Sequence, residues 1–495
     1  VTGSGAVNER NGELAAPARP DFGAVRAEFG LPAGFPPEVL AEAEQAAAAA
    51  PVVGPDRVDA TDLPLVTIDP PGARDLDQAL GVARTADGFR VHYAIADLGA
   101  FVRPGGPLDG EVRRRGQTVY LPDGSVPLHP PVLSERVASL LPDGPRPAVL
   151  WTVELDEEAE PVAVDVRRAV VRSLAQLDYE GVQADHDAGR LHPALAGLPE
   201  LGRLRRAAAL RRGAVELEMP EQEVAPEAGG WTVHIRRRAA VEQWNEQVSL
   251  LTGMAAARIM LDAGVGLLRS LPAPEPGALA EFRRTAAELG VPWPEGAQPA
   301  EVLAGLGESG AVPLALRRAA TSLLRGARYS AFDTAAGVAI PGDTGHGGIG
   351  APYAHVTAPL RRLVDRFGTE VCLAVTAGAE LPDWLRAALP ALPEVMAASD
   401  VLAAKVGRAC VDRTEAALLA DRIGQEFEVV VLRGSGPGGE PGEVFLADPP
   451  VLARCTGIPR AGRSARVRLA EADPATGRIA FLAAAAALPA SEPAP

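Results

Sequence analysis

Two stretches of the sequence carry side chains whose types and spacing suit phosphoryl chemistry. The first, Thr67-Ile68-Asp69-Pro70-Pro71-Gly72-Ala73-Arg74-Asp75-Leu76-Asp77-Gln78-Ala79, sets three carboxylates around a Pro-Pro-Gly turn. An apolar strand ends at Asp69, the turn reverses the chain, and Asp75 and Asp77 fall at alternate positions of the next extended segment, so both face one way. Three carboxylates in one loop repel each other unless a cation stands between them, and hard oxygen ligands suit Mg²⁺ or Mn²⁺. From spacing alone a solvated acidic turn reads equally well. The second stretch runs from Gly345-His346-Gly347-Gly348-Ile349-Gly350 through Tyr353 and Thr357 to Pro359-Leu360-Arg361-Arg362. It reads as a Gly-rich loop that brings backbone N–H groups to a phosphate, followed by a helix with Pro359 in its first turn. Arg361 and Arg362 add guanidinium groups that bind phosphate oxygens bidentately. In isolation the same segment also reads as a flexible loop and a helix with surface arginines.

Such groups act only where elements hold them in place. At 495 residues the chain exceeds the roughly 250–300 residues at which one hydrophobic core stops growing, so two or more domains are expected. Hydrophobic residues at 47% and charged residues at 23% are globular values and exclude global disorder. Residues 65–68, 90–95, 148–155 and 162–171 are rich in branched and aromatic side chains at strand length. Residues 37–50 read as a short helix, and Ala/Leu/Arg runs over 195–330 and 359–423 carry helical spacing. Strands first and helices later make an α+β pattern. Beyond residue 425 the strand candidates 427–432, 444–447, 465–469 and 478–482 alternate with Gly/Pro turns. They suggest a small barrel of the oligonucleotide-binding kind, with a β-module that only caps the rest as the alternative.

A net charge of −16 excludes an evenly basic nucleic-acid binder but leaves room for a focused positive channel. Lys405 is the only lysine, against 47 arginines, and in so Ala- and Gly-rich a chain the arginine content proves little. The cysteines Cys372, Cys410 and Cys455 fit neither a disulfide framework nor a paired-ligand zinc site, which points to a reducing cytoplasm. No apolar stretch is read as approaching the roughly 18–20 residues of a membrane span, and no basic-then-apolar leader is read at the N-terminus. Neither membrane insertion nor secretion is expected.

The blocks Arg57 to Asp69, Asp75-Leu76-Asp77-Gln78-Ala79, Tyr93-Ala94-Ile95-Ala96-Asp97, Pro107-Leu108-Asp109, Tyr120-Leu121-Pro122, Leu133-Ser134, Ser139-Leu140 and Tyr353 to Asp365 come in a fixed order. In that order they resemble the motifs of the ribonuclease II/R (RNB) family of 3′-to-5′ exoribonucleases, over residues 57–423. The terminal β-module resembles that family's C-terminal RNA-binding barrel. The resemblance implies a helical appendage over 1–56, an RNB-type α+β catalytic domain with an RNA channel over 57–423, and an OB-fold barrel over 424–490. It implies hydrolysis of single-stranded RNA to nucleoside 5′-monophosphates in RNA turnover, by a cytoplasmic monomer that needs no obligate protein partner. By the same resemblance Asp69, Asp75, Asp77 and Gln78 occupy the Mg²⁺-holding positions, with Mn²⁺ as the alternative ion, and Asp77 and Arg361 are the catalytic pair. Tyr120, His346, Tyr353, Thr357, Arg361 and Asp412 take RNA-facing positions, with Tyr120 against the 3′-terminal bases.

The departures from the family pattern bear on this reading. Gln78 stands where the family usually has a fourth Asp, as in a branch with a D-L-D-Q-A motif, so one anionic ligand is missing. An amide oxygen still coordinates Mg²⁺, and Mg²⁺ often uses only one or two carboxylates plus substrate phosphates, so loss of activity does not follow. Ala358 and Leu363 replace a Ser and a Tyr, Asp412-Arg413 stands for a Glu-Arg, and Glu246 keeps one acid of a Glu-Glu pair. The family's two amino-terminal cold-shock-type barrels do not fit in the first 56 residues. Two rivals remain: an RNA-binding protein on the same fold whose metal site Gln78 has impaired, and an Asp-nucleophile phosphatase suggested by Asp75-Leu76-Asp77, for which Lys405 is the only lysine available.

Overall fold

Alternation of β-branched and aromatic residues in the first third of the chain yields five strands: β1 (Val58–Asp69), β2 (Gln78–Arg84), β3 (Phe89–Ala96), β4 (Arg146–Leu155) and β5 (Pro161–Asp178). In the computed structural model they close into a barrel in that order. Neighbours run antiparallel until β5 returns parallel to β1, with Asp69 opposite Asp178. Closure leaves no free edge, and Leu65, Val66, Phe89, Val91, Tyr93, Trp151 and Val153 are buried in the core on the two faces of its wall. Pro64 inside β1 is tolerated at a register shift between Ala60 and Leu65. There β2 passes so close that a Cβ at Gly81 would stand 2.5 Å from the Pro64 carbonyl oxygen. The structure describes residues 19–49, 56–215, 221–227, 229–307, 310–436, 438–458 and 460–484. Residue 50 of the expected first helix and residues 485–490 of the expected last domain lie outside the described residues.

The chain divides into two compact units, one of Val1–Val25, Glu221–Ile235 and Arg408–Pro495, the other of Arg26–Pro220 and Arg236–Gly407. The larger unit holds the barrel and its helices, which share one continuous hydrophobic core. The helix Ala240–Ala263 and the helix Leu363–Thr376 supply the largest helical share of that core. A separate small core around Phe282, Leu303, Leu316 and Leu323 joins the helices Pro276–Glu288, Pro299–Ala304 and Ala311–Ala320. In the smaller unit the strands Glu426–Arg433, Gly442–Ala447, Pro450–Thr456, Ser464–Asp473 and Arg478–Ala483 close a second five-stranded barrel around Val429, Val431, Val444, Val467 and Phe481. The mixed α+β class with an OB-like terminal barrel is therefore the observed one.

Several expectations are corrected in detail. The leader helix runs Pro37–Ala48, with a further helix Phe22–Glu28 before it. The Ala/Leu/Arg run is not continuously helical: Gly264, with φ at +70°, ends the helix Ala240–Ala263, and the next residues form the strand Val265–Ser270 paired with Arg328–Asp333. A hairpin, Glu221–Glu227 with Gly230–Arg236, also interrupts it. The strand Pro450–Thr456 escapes the sequence pattern because it opens on prolines. The helical run Asp383–Arg422 is, by length and composition, long and apolar enough to cross a membrane, contrary to expectation. Its apolarity comes largely from alanine, and Asp400, Lys405 and Arg408 punctuate it. None of the three cysteines forms a disulfide, and all are buried.

Candidate active site

The acidic loop is a built structure. Ala73 N donates to Pro70 O across a turn whose third position, Gly72, has φ at +82°, the conformation a type II turn needs and glycine supplies. Gln176 of β5 donates to the Ala73 carbonyl. Ser139 then grips the loop from both sides: its hydroxyl donates to Arg74 O at 2.6 Å and accepts from Leu76 N at 3.0 Å, while Leu140 N donates to Leu76 O. Leu76 is fully buried in the barrel core, so Asp75 and Asp77 turn the other way, as the alternation requires.

The arginine segment approaches from the opposite end of the chain. Leu360 N donates to Asp77 Oδ1 at 2.7 Å, and Arg361 Nε lies 3.6 Å from Asp77 Oδ2. Gln78 Nε2 donates to Thr357 O at 2.6 Å, and the Thr357 hydroxyl meets Ser249 Oγ at 2.9 Å. Thr118 N donates to Arg361 O and Leu363 N to Gly116 O, so the arginine segment also pairs with the strand leading to Tyr120. Tyr120, 51% exposed, donates its hydroxyl to Asp75 Oδ2 at 3.0 Å and presents its ring outward. The helix begins at Leu363, so Pro359 lies in the turn before it rather than in its first turn. Asp365 fixes that turn, accepting from Ala358 N and pairing with Arg362. Residues 345–346 pair with 351–352 as a short hairpin, and His346 stands edge-on to Tyr353, which stands edge-on to His355.

Electrostatics set these acids apart. Burial pushes the Asp69 carboxyl up to about 6, opposed by Arg361 and reinforced by Asp75. Burial holds Asp77 well above the carboxylate range, and its Oδ2 is buried without a hydrogen-bond partner. Among the described residues no group of three or more His, Cys, Asp or Glu side chains stands close enough to hold a metal ion. The expected set of Asp69, Asp75, Asp77 and Gln78 is therefore not preassembled: Asp75 is turned to Tyr120, Gln78 to Thr357, and Arg361 provides the countercharge. A divalent ion of the Mg²⁺ kind still fits, because it needs only one or two carboxylates plus substrate oxygens. Burial opposes ionisation of Asp69 and Asp77, and Asp77 Oδ2 has no hydrogen-bond partner, so a divalent ion would add to Arg361 the positive charge that both carboxylates need.

Asp412 belongs to the smaller unit, where Arg408 lies 3.7 Å from it and its backbone packs on Gly477. Within the larger unit Asp400 is held by Gln117 at 3.3 Å and Arg269 at 3.1 Å. Its sequence signal is weak, a lone Asp in an Ala-rich helix. Ser139 stood in one of the ordered motif blocks but without a role, and Ser249 was silent, because hydroxyls carry no spacing pattern. The runs Arg113–Arg115 and Arg236–Arg238 are engaged by acids: Asp109 and Glu111 pair with the first, Glu242 and Glu246 with the second.

Comparison with known proteins decides the lineage. The RNB domain family model matches residues 57–368, and a model of the RNase II-type exonuclease C-terminal S1 domain matches 425–484. The chain belongs to the RNB family. This RNB-family chain is 33% identical to ribonuclease R of Escherichia coli over 327 residues, covering 62% of this chain and 39% of that protein. It is 30% identical to the exosome complex exonuclease RRP44 homolog A of Arabidopsis thaliana over 332 residues, covering 64% of this chain and 35% of that one. It thus spans well under half the length of these relatives. Among solved structures, the apo form of Mycoplasma genitalium RNase R superposes with a TM-score of 0.82 at 19% identity over 94% of this chain and 77% of that one. Yeast Ssd1, described as a pseudonuclease, superposes with a TM-score of 0.65 at 17% identity over 81% of this chain and 50% of that one. Both likenesses concern the fold.

Proposed function

We propose that the chain is a 3′-to-5′ exoribonuclease that hydrolyses single-stranded RNA to nucleoside 5′-monophosphates with a divalent ion, Mg²⁺ first and Mn²⁺ second. The observation that carries this reading is the meeting of Asp69 and Asp77 with Arg361, inside the segment that matches the RNB domain. Asp69, Asp77 and, once released by Tyr120, Asp75 would hold the ion, which supplies Lewis-acid polarisation of the scissile phosphate. Arg361, half exposed at its side chain, is free to follow charge developing on the phosphate oxygens. Leu360 N and the Gln78–Thr357 bond keep the two loops in register, so acid and guanidinium face the same phosphate. Tyr120 offers its exposed ring to a terminal base, a contact any base satisfies. His346, Tyr353 and Thr357 would contact the RNA further along, and cytoplasmic RNA turnover is the setting the reading implies.

A second reading, an RNA-binding protein without hydrolysis, is favoured by the commitment of the Gln78 amide to Thr357 and by the lack of a preassembled metal cage. A time course on 5′-labelled and 3′-labelled single-stranded RNA, with Mg²⁺ or EDTA, separates the two. The exoribonuclease releases labelled mononucleotide at once from the 3′ label, only with the ion. Binding without release in either condition overturns the first reading.

A further inference from the structure

The larger unit contains a cavity of about 480 Å³ between the helices Leu198–Arg211 and Ala240–Ala263, the Pro299–Ala304 region and the Gly348–Ile349 backbone. Its lining includes four arginines, Arg205, Arg206, Arg212 and Arg317, and a single carboxylate, Glu246. That carboxylate already pairs with Arg238 at 2.9 Å. Arg205 and Arg212 share one carboxylate, Glu160. Arg205, 1% exposed, spends Nη1 on Ala159 O and Glu160 Oε2, but its Nε is buried without a partner. Arg212 reaches the same Glu160 only at 3.5 Å, and both its Nε and Nη1 are buried without a hydrogen bond. Arg317, 7% exposed, has no carboxylate partner among the described residues. Burial and the neighbouring Arg205 hold the Arg212 guanidinium below its ordinary value, the sign of cations crowded together. The remaining wall is apolar, from Leu250, Leu303 and Ile349.

Guanidinium groups that share one carboxylate leave positive charge that a fitting anion offsets, and a phosphate offers oxygens in the geometry the guanidinium fork prefers. The volume lies within the roughly 300–1,000 Å³ of small-molecule sites, and an apolar wall beside a cationic one suits a ligand with a flat ring and a charged head. We propose that this cavity binds a phosphomonoester dianion, with Arg212 and Arg317 on the phosphate, the buried Arg205 adding its charge from behind, and the Leu303–Ile349 side left for an attached nucleoside. Two sources share this chemistry, a nucleoside 5′-monophosphate and inorganic phosphate. The first rests on the exoribonuclease reading, in which it is the product. The site itself does not, since its groups are separate from Asp77 and Arg361.

Calorimetric titration of the full chain in EDTA with AMP, inorganic phosphate and adenosine tests this without requiring hydrolysis. AMP and phosphate are expected to bind saturably and adenosine not to; tighter binding of AMP than of phosphate marks the nucleotide as the occupant, and equal binding marks phosphate. Arg212→Gln and Arg317→Gln should each weaken binding about tenfold, the worth of one charge-assisted contact. The exposed Arg284→Gln and the catalytic Arg361→Ala should leave it unchanged. Melting curves establish that each variant is folded, and wild-type binding stands as a test even where one variant is not. The proposal falls if neither anion binds at millimolar concentration, if Arg361→Ala abolishes binding while the cavity variants do not, or if 2′-O-methylated single-stranded RNA displaces the bound phosphate and so makes the cavity part of the RNA path.

Discussion

At the scale of single residues, the centre sets burial against charge. Asp77 accepts one backbone N–H and leaves its other oxygen buried beside Arg361. Asp77→Asn keeps the shape and the acceptor for Leu360 N but removes a carboxyl whose ionisation burial opposes. The substitution should therefore cut RNA hydrolysis by at least about 100-fold, the scale of losing one transition-state stabilising group. In EDTA at neutral pH the same variant should melt no lower than wild type, and a marked drop in melting temperature or surviving hydrolysis would refute this placement. Tyr120 acts through its ring. Tyr120→Ala should raise KM for single-stranded RNA about tenfold or more, since one stacked base is worth about 1–3 kcal/mol, while Tyr120→Phe should stay near wild type; equal losses in both would assign the effect to the hydroxyl bond with Asp75. Much of this centre was readable in advance, because aspartates at alternate positions beside a Pro-Pro-Gly turn and an arginine in an ordered motif leave a pattern. Gln78 was readable as a departure but not as a donor to Thr357, since the partner lies 279 positions away. Asp412 was readable only as an acid beside an arginine on a helix, a pairing that helices repeat often.

Elements decide how tightly those residues are held. The acidic loop has no regular structure of its own, and one serine hydroxyl satisfies both Arg74 O and Leu76 N. Ser139→Ala leaves those groups without that partner at a buried site, a loss of about 1–3 kcal/mol. Chemical denaturation should register it. Because the loop carries the acids, kcat should fall while RNA affinity, measured with Mg²⁺ replaced by EDTA, stays within about twofold, a shift of well under 1.4 kcal/mol. A variant as stable and as active as wild type would show that the loop stands without Ser139. Strands with uninterrupted branched residues, such as those of the first barrel, were legible because period-two patterning needs no partner to be seen. The strands Val265–Ser270 and Arg328–Asp333 were hidden inside Ala/Leu/Arg-rich surroundings, where composition argues for helix and only tertiary pairing argues otherwise.

At the scale of whole units, the smaller one carries a pH response of its own. In the smaller unit Glu415 is buried, accepts from Leu452 N and Gln222, and burial pushes its carboxyl up to about 7 from an ordinary 4.5. A carboxyl raised in the fold favours folding when protonated. Its contribution is complete below 4.5 and is lost as pH rises through about 7. Glu415→Gln should remove that dependence, so the stability gap between variant and wild type should widen by up to about 3 kcal/mol from pH 4.5 to 8. Scanning calorimetry at several pH values reads it, and a gap that stays constant with pH would count against the burial argument. The first barrel supplies a different kind of consequence. Its acids come from residues 69–77, yet the guanidinium opposite them is residue 361. On the exoribonuclease reading, a nascent polypeptide that has emerged only as far as the helix Ala240–Ala263 would carry the acids without their guanidinium, and the centre would be complete only once residue 361 has followed.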